Sequence, residues 1–276
     1  MSYSDSSFLG YSLLDSGEGC KLEQFGSFLI SRPASQALWT IQNSSLWKKA
    51  HASFSREPDL IWTGREKLPQ EWEITVEGMR FLLKATDFGH LGIFPEQSMQ
   101  WKWIRSKLSS SDHVLNLFAY SGGSTMAAAL AGATVWHVDA SKGMVSWARK
   151  NAELNNVEAH WIVEDAMKFL QREKRRGKSY EAIILDPPTF GRGNSGEIFK
   201  IEEQIVPLLA ACFDLLSSKA KFLLLSCHTP GMTPVVLENL LKQFRSGKIE
   251  SGELLLEGEK EVLALPSGCY ARWMNE

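Results

Sequence analysis

The segment 113–139, HVLNLFAYSGGSTMAAALAGATVWHVD, decides how the chain folds. It opens on the short apolar run HVLNLFA, turns through a glycine pair, runs on through TMAAALAGA with helical texture and returns to an apolar run, TVWHVD, that stops at an acid. A strand, a helix and a second strand in that order, both strands apolar without strict alternation, are what two parallel strands buried on both faces look like. The alternation continues on either side of this unit. Residues 98–108 read as a helix ahead of it, and a helix begins after Ser141, a good N-cap, through MVSWARKNAEL. Three more runs, AHWIV (159–163), EAIILD (181–186) and KFLLLSC (221–227), read as further strands, the first followed by a helix to about Arg175. The pattern predicts an α/β domain with a parallel sheet covered by helices.

Ahead of this domain the texture differs. YSLLDSGEG, FGSFLISRP, QALWTIQ and LIWTGREKLPQEWEI are short apolar runs punctuated by Gly, Pro, Asp and Ser, and EITVEGMRFLLK (73–84) alternates like a hairpin. The expectation is a small β-rich region over residues 1–80 and one catalytic domain over 81–276.

Composition narrows the function classes. A formal charge of -2 and a pI near 6.3 argue against a protein that coats nucleic acid through a general surplus of cations. The one dense basic run, REKRRGK (172–178), lacks interleaved aromatics and reads as the solvated end of a helix, where positive charge also suits the helix dipole. No apolar stretch approaches the roughly 20 residues that cross a bilayer, and MSYSDSSFLG lacks a basic start followed by an apolar run, so a cytoplasmic protein is expected. Cys20, Cys212, Cys227 and Cys269 lie far apart without a CxxC pair, which suggests neither a metal site nor a disulfide framework.

The candidate site follows from where the polar residues fall, at the carboxyl ends of the predicted strands, where an open parallel sheet binds its ligand. Gly122 and Gly123 in NLFAYSGGST (116–125) let backbone approach a ligand, though the turn is not the full GxGxxG of a dinucleotide fold. Asp139 closes the next strand and can accept from both hydroxyls of a ribose. Asp165 can accept from an adenine amino group with the Ala166 amide donating to a ring nitrogen, or it can simply cap the helix behind it. One bound nucleoside accounts for all three turns. Three acids, Asp139, Asp165 and Asp186, favour a cationic ligand over a diphosphate. In DPPTF (186–190) the two prolines end the strand and fix the chain, Phe190 can stack on a base, and Asp186 can take or share a proton. The polar, glycine-rich stretch 191–200 behind it is a candidate lid in which Arg192 can reach a phosphate.

Taken together, LNLFAYSGGST, VDASKGMVSWARKNAELN, VEDAMKFLQREKRRG and ILDPPTFGRG resemble the class I S-adenosylmethionine (SAM)-dependent methyltransferases related to the bacterial large-subunit ribosomal RNA cytosine-5 methyltransferase. The resemblance implies a Rossmann-like sheet with a small β-rich N-terminal region and SAM as cofactor. It also implies a cofactor site of Phe94, Gln97, Asn116, Phe118, Tyr120, Ser121, Gly122, Asp139, Ala140, Ser141, Asp165, Ala166, Asp186 and Pro187, with Pro188, Phe190 and Arg192 toward the substrate. Phe94 and Gln97 come from FGHLGIFPEQ (88–97), which looks like the family's stretch just ahead of the core.

RNA, ribosomal RNA above all, is the acceptor the resemblance implies. In the cytosine-5 relatives a cysteine at the place of Cys227 adds to C6 of the base; Asp186 would then help protonate the ring, and His228 or a neighbouring positive charge can lower the thiol pKa. This sequence reads SCHTPG where those relatives have Cys followed by Ser-Gly, and Cys227 reads equally well as a small buried hydrophobe. If it is no nucleophile, the same scaffold suits N-methylation of guanine, with Asp186 and the Pro187 carbonyl accepting from the amine. A SAM-binding module without turnover and a small-molecule or protein methyltransferase are the remaining readings.

Overall fold

The computed structural model describes residues 10–192, 198–259 and 261–275. The chain divides into two compact units, one made of Met1–Ser98 with Leu255–Pro266 and one of Met99–Leu254 with Ser267–Glu276. The first unit therefore runs past the boundary expected at residue 80 and takes in a C-terminal segment that local texture did not assign to it.

In the first unit β1 (Tyr11–Gly17), β2 (Cys20–Phe25) and β3 (Phe28–Pro33) form an antiparallel meander. After the single-turn helix α1 (Ser44–Trp47), β4 (Ala52–Ser55) pairs parallel to β3 and β5 (Ile61–Thr63) completes a five-stranded sheet. Strands β6 (Trp72–Val76) and β7 (Met79–Leu83) make a separate hairpin. The turns β1–β2 and β6–β7 both carry a Glu-Gly pair in the left-handed region, Glu18-Gly19 and Glu77-Gly78. Two-residue hairpin turns need that conformation to match strand twist, and only glycine adopts it without cost. Asp15 organises the loop between β3 and β4: one carboxylate oxygen accepts from the Gln42 and Asn43 amides and the Trp47 indole. Phe94 and Gln97 belong to this unit, in and beside the 3-10 turn Pro95–Gln97.

The second unit begins with α2 (Ser98–Lys107) and alternates strand and helix: β8 (His113–Leu117), α3 (Gly123–Leu130), β9 (Thr134–Asp139), α4 (Lys142–Leu154), β10 (His160–Val163), α5 (Ala166–Arg175) and β11 (Ala182–Leu185). A short antiparallel pair, β12 (Phe190–Arg192) and β13 (Ile198–Lys200), precedes α6 (Ile201–Leu215), β14 (Phe222–Cys227), α7 (Pro234–Lys242), β15 (Lys248–Leu256) and β16 (Leu265–Met274). The main sheet runs β10-β9-β8-β11-β14-β16-β15. Its first five strands are parallel, while β16 is antiparallel to β14. Strand order reverses between β8 and β11, so the carboxyl ends of those two strands flank the crevice where such sheets bind ligands.

All five strands expected in this domain form. The short pair β12–β13 lies within and beside the stretch expected as a loop, and α6, α7, β15 and β16 are not among the expected elements. Central strands β11 and β14 are buried along their whole length, which is why they read as unbroken apolar runs. One face carries the main core: Leu115, Leu117, Ile183, Leu185, Leu223, Leu225 and Cys227 from the strands pack with Phe169 and Leu170 of α5 and Ile205, Leu208, Leu209 and Cys212 of α6. Burying each such Leu or Ile contributes about 1.5–3 kcal/mol before the entropy of ordering it. Among the described residues no helix is long and apolar enough to cross a membrane.

Candidate active site

The loop after β8 is shaped by its backbone. Phe118 (φ 52°) and Tyr120 (φ 49°) are left-handed without being glycine, and Gly122 follows at φ 91° as the N-cap of α3. Non-glycine residues hold that conformation only when their surroundings over-determine it. Asp139 does so from the end of β9: its Oδ2 accepts from the Tyr120 amide at 2.9 Å and its Oδ1 from the Ser141 amide at 2.8 Å. Burial raises the Asp139 pKa, opposed by those two amides. Asn151 Nδ2 adds a bond to the Ser121 carbonyl at 2.9 Å. A side chain at Gly123 would collide, its Cβ lying 2.6 Å from the Trp101 ring, while one at Gly122 would press on the Ala148 Cβ at 3.1 Å.

Ser141 caps α4 as expected, its Oγ accepting from the Met144 amide. Asp165 caps α5, its Oδ1 accepting from the Lys168 amide at 3.0 Å, and Ala166 behind it is buried. Asn116 departs from expectation. It is buried within β8 and its side-chain amide donates to Thr125 Oγ1 at 2.9 Å, which in turn meets His137 Nδ1 at 2.9 Å. Alternation along the strand sends this side chain to the face opposite Leu115 and Leu117, where it ties β8 to α3 and β9.

At the end of β11, Asp186 and Pro188 are accessible, Pro187 is buried and Phe190 is 51% exposed. Thr189 Oγ1 lies 2.8 Å from Thr229 Oγ1, tying this turn to the one after β14. Phe199 of β13 packs on Phe118 with ring centroids 5.3 Å apart. Arg192 ends β12, but its side chain and residues 193–197, the middle of the stretch read as a lid, lie outside the described residues.

Cys227 and His228 part ways. Cys227 is 1% exposed and shares the strand face of Leu223 and Leu225, inside the main core. Burial pushes its thiol pKa up against two hydrogen bonds from Thr229, and the nearby Asp186 charge pushes it up further. The sequence reading set His228 to activate this thiol. In the structure the imidazole goes elsewhere: Nε2 lies 3.4 Å from Asp186 Oδ2 and Nδ1 lies 2.7 Å from the Ser267 carbonyl oxygen. Strand β16, unassigned from sequence, supplies that carbonyl.

The residues fit the cofactor anticipated from sequence. Asp139, Asp165 and Asp186 all stand at carboxyl ends of the parallel strands, around a tight turn held open by left-handed backbone. That donor set suits the ribose, adenine and sulfonium of SAM and repels a diphosphate.

Fold and site define an enzyme that binds a nucleoside cofactor at the carboxyl edge of a parallel sheet. The chain belongs to the S-adenosylmethionine-dependent methyltransferase family, whose model matches residues 7–243, and SAM is its cofactor. It is similar to the SAM-dependent methyltransferase of Agrobacterium tumefaciens, whose crystal structure superimposes with a TM-score of 0.90 at 37% identity, over 96% of this chain and 90% of that one. The structure of SMU.776 complexed with SAH shares the fold, with a TM-score of 0.76 at 18% identity over 97% of this chain and 76% of that one. Among curated proteins, the ribosomal RNA large subunit methyltransferase K/L of Hahella chejuensis is 34% identical over 162 residues, 56% of this chain and 22% of that protein. That of Pseudoalteromonas atlantica is 25% identical over 221 residues, 79% of this chain and 28% of that protein. The chain thus spans well under a third of the length of these curated relatives. Their names specify large-subunit ribosomal RNA and not the cytosine C5 atom favoured from the sequence.

Proposed function

We propose that this protein transfers the methyl group of SAM to a nitrogen of guanine in RNA, ribosomal RNA being the favoured acceptor. Its relatives are named as ribosomal RNA methyltransferases, and the accessible Asp186 carboxylate and exposed Phe190 offer a planar base an acceptor and a stacking face. The observation that carries the choice of nitrogen is the burial of Cys227. Cytosine C5 is a poor nucleophile until a thiolate adds to C6, and a thiol in the core with a raised pKa is neither ionised nor within reach of a base. A guanine nitrogen needs no covalent adduct.

In this reading the turn of Phe118, Tyr120, Ser121 and Gly122 holds the methionine portion of the cofactor. Asp139 takes the ribose, and Asp165 with the Ala166 amide takes the adenine. Bound SAM supplies an electrophilic methyl. Asp186 and the Pro187 carbonyl accept from the base and orient it, while Pro188 and Phe190 pack on it.

The test is transfer of labelled methyl from SAM to unmodified ribosomal RNA, with soluble protein and small metabolites as parallel acceptors and nucleoside analysis of the labelled RNA. Label on guanosine is expected. Label in 5-methylcytidine would restore the thiol route, and label confined to protein or metabolites would overturn the RNA assignment.

A further inference from the structure

Lys21 and Arg32 stand at directly opposed positions of the β2–β3 ladder. Like charges so placed destabilise a sheet, and here a buried acid two residues along β2 offsets them. Glu23 accepts from Arg32 Nε at 2.7 Å and from Nη2 at 2.9 Å, and lies 3.2 Å from Lys21 Nζ. Arg32 Nη1 donates to the Gly89 carbonyl at 3.2 Å, which commits three of its five N–H groups. Arg56, exposed just past β4, pairs with no carboxylate among the described residues. These three cations line a cavity of about 100 Å³ in the first unit, together with Phe54, Phe88, His90 and Glu96. One water needs roughly 10–15 Å³, so the cavity admits a polar group of several heavy atoms.

The turn over this cavity is tied down. Thr86 Oγ1 accepts from the His90 amide and donates to the His90 carbonyl, Trp62 Nε1 donates to the Thr86 carbonyl at 2.7 Å, and Arg65 donates to the Asp87 carboxylate at 2.7 Å. Gly89, left-handed at φ 79°, lays its backbone on Phe54, where a Cβ would collide with the ring. Phe88 is thereby held out on the turn with 67% of its surface exposed. Charge is sorted around the cavity. Burial, then the carboxylates of Glu23 and Glu96, hold the Tyr11 hydroxyl well above its usual pKa, so the acids stand on that side. At His90 every charge felt is positive: burial first, then Arg32, Arg56 and Lys21 lower its pKa to about 4. A place that disfavours a fourth positive charge favours an anion.

We propose that this pocket holds a nucleotide of the acceptor RNA, its phosphate on Arg56, Arg32 and Lys21 and its base stacked on Phe88. This rests on the RNA reading above. Cations beside an open aromatic are the two features that hold single-stranded nucleic acid, the charge tracking the backbone and the ring taking a base. The basic run 172–178 offers charge without a ring, whereas here charge and ring come from positions 21, 32, 56 and 88, which only the fold collects. An acidic peptide would use the cations and leave the ring idle.

The experiment titrates the full chain with a fluorescein-labelled uridine hexanucleotide and follows anisotropy over a salt series. Phe88→Ala is expected to weaken binding about 10-fold and Phe88→Trp to retain it. Arg56→Ala should weaken it and reduce the slope of log Kd against log salt by about 0.7, the share of one phosphate contact on a single strand, while Arg56→Lys keeps the slope. Both positions are exposed, so these variants leave the core untouched. The ring resonances of Phe88 and His90 should shift as the hexanucleotide is added. No binding by the wild type, or wild-type affinity and salt slope in both Ala variants, overturns the pocket. Displacement by uridine monophosphate as readily as by the hexanucleotide would make a free nucleotide the occupant, and displacement by hexaglutamate would leave a plain cation site; either overturns an RNA occupant. Loss of SAH affinity in Phe88→Ala, read by calorimetry, would assign the pocket to the cofactor and overturn the proposal as well. The methyl-transfer assay separates the failures. Label on ribosomal RNA with hexanucleotide binding unaffected in the Ala variants removes the pocket alone, and label confined to protein or metabolites removes the reading on which it rests.

Discussion

Asp139 fixes the backbone of Tyr120. One carboxylate accepts from the Tyr120 amide across the sheet edge and from the Ser141 amide behind it, which holds Tyr120 in a left-handed conformation that a non-glycine residue resists. The same carboxylate is the candidate ribose ligand, so structure and binding draw on one group. Asp139→Asn keeps the size but sets an amide donor against one of two N–H groups. With charge-assisted hydrogen bonds contributing about 1.5–3 kcal/mol each, SAH affinity should fall at least about 10-fold. Calorimetry with SAH checks this, and unchanged affinity would remove Asp139 from the cofactor site.

Gly123 has a different reason to be glycine. Its backbone is not left-handed; the constraint is space, since an added Cβ would lie 2.6 Å from Trp101. Gly123→Ala should lower stability by about 1–3 kcal/mol through overpacking at the start of α3. Trp101→Phe in the same chain should return part of the loss by shrinking the ring. Thermal unfolding of the single and double variants measures this; additive losses would mean that the two positions do not press on each other.

The parallel core was legible because its physics is local. The central strands β8, β11 and β14 are buried on both faces, so each announces itself as a short apolar run, and the acids that end the parallel strands stand out against that background. Ser141 and Asp165 were readable as caps for the same reason. What escaped depends on tertiary contacts. β15 and β16 interrupt their apolar residues with Ser, Gly, Glu and Arg, and Arg272 of β16 is accommodated only because Gln100 accepts its bonds and Trp103 and Tyr270 cover its faces. The resemblance alone implies Asn116 as a cofactor residue, and only the strand's facing direction commits its side chain to Thr125. The pairing of His228 with Asp186 joins positions 42 residues apart by numbering, through two strand ends that a linear reading cannot place side by side.

Cys227 separates the two acceptor chemistries without a substrate complex. As a core side chain it contributes packing, so Cys227→Ala should cost on the order of 1–2 kcal/mol of stability and leave kcat within about threefold of wild type. Labelled methyl transfer at a temperature below the variant's unfolding midpoint reads both effects apart. Loss of all turnover in a folded, SAH-binding variant would make the thiol a nucleophile after all.

Acid stability should carry the mark of His137. Its ring is buried between β9 and the helices, bonded to Thr125, and burial first and the Arg149 charge second lower its pKa to about 3. His90 of the other unit is likewise lowered to about 4. Both stay neutral in the fold while the unfolded chain takes up a proton on each below about pH 6.5, so in that window the unfolded state binds more protons. Stability is therefore full above the unfolded pKa and declines as pH falls from there toward 3 for His137 and toward 4 for His90. Urea unfolding at about pH 7.5 and about pH 5.5 should show the loss, and His137→Asn, which cannot take the proton, should shrink it. An identical pH dependence in the variant would mean that the buried ring is already protonated in the native state, and the neutral chain from Asn116 through Thr125 to His137 would have to be redrawn with a charge at its end.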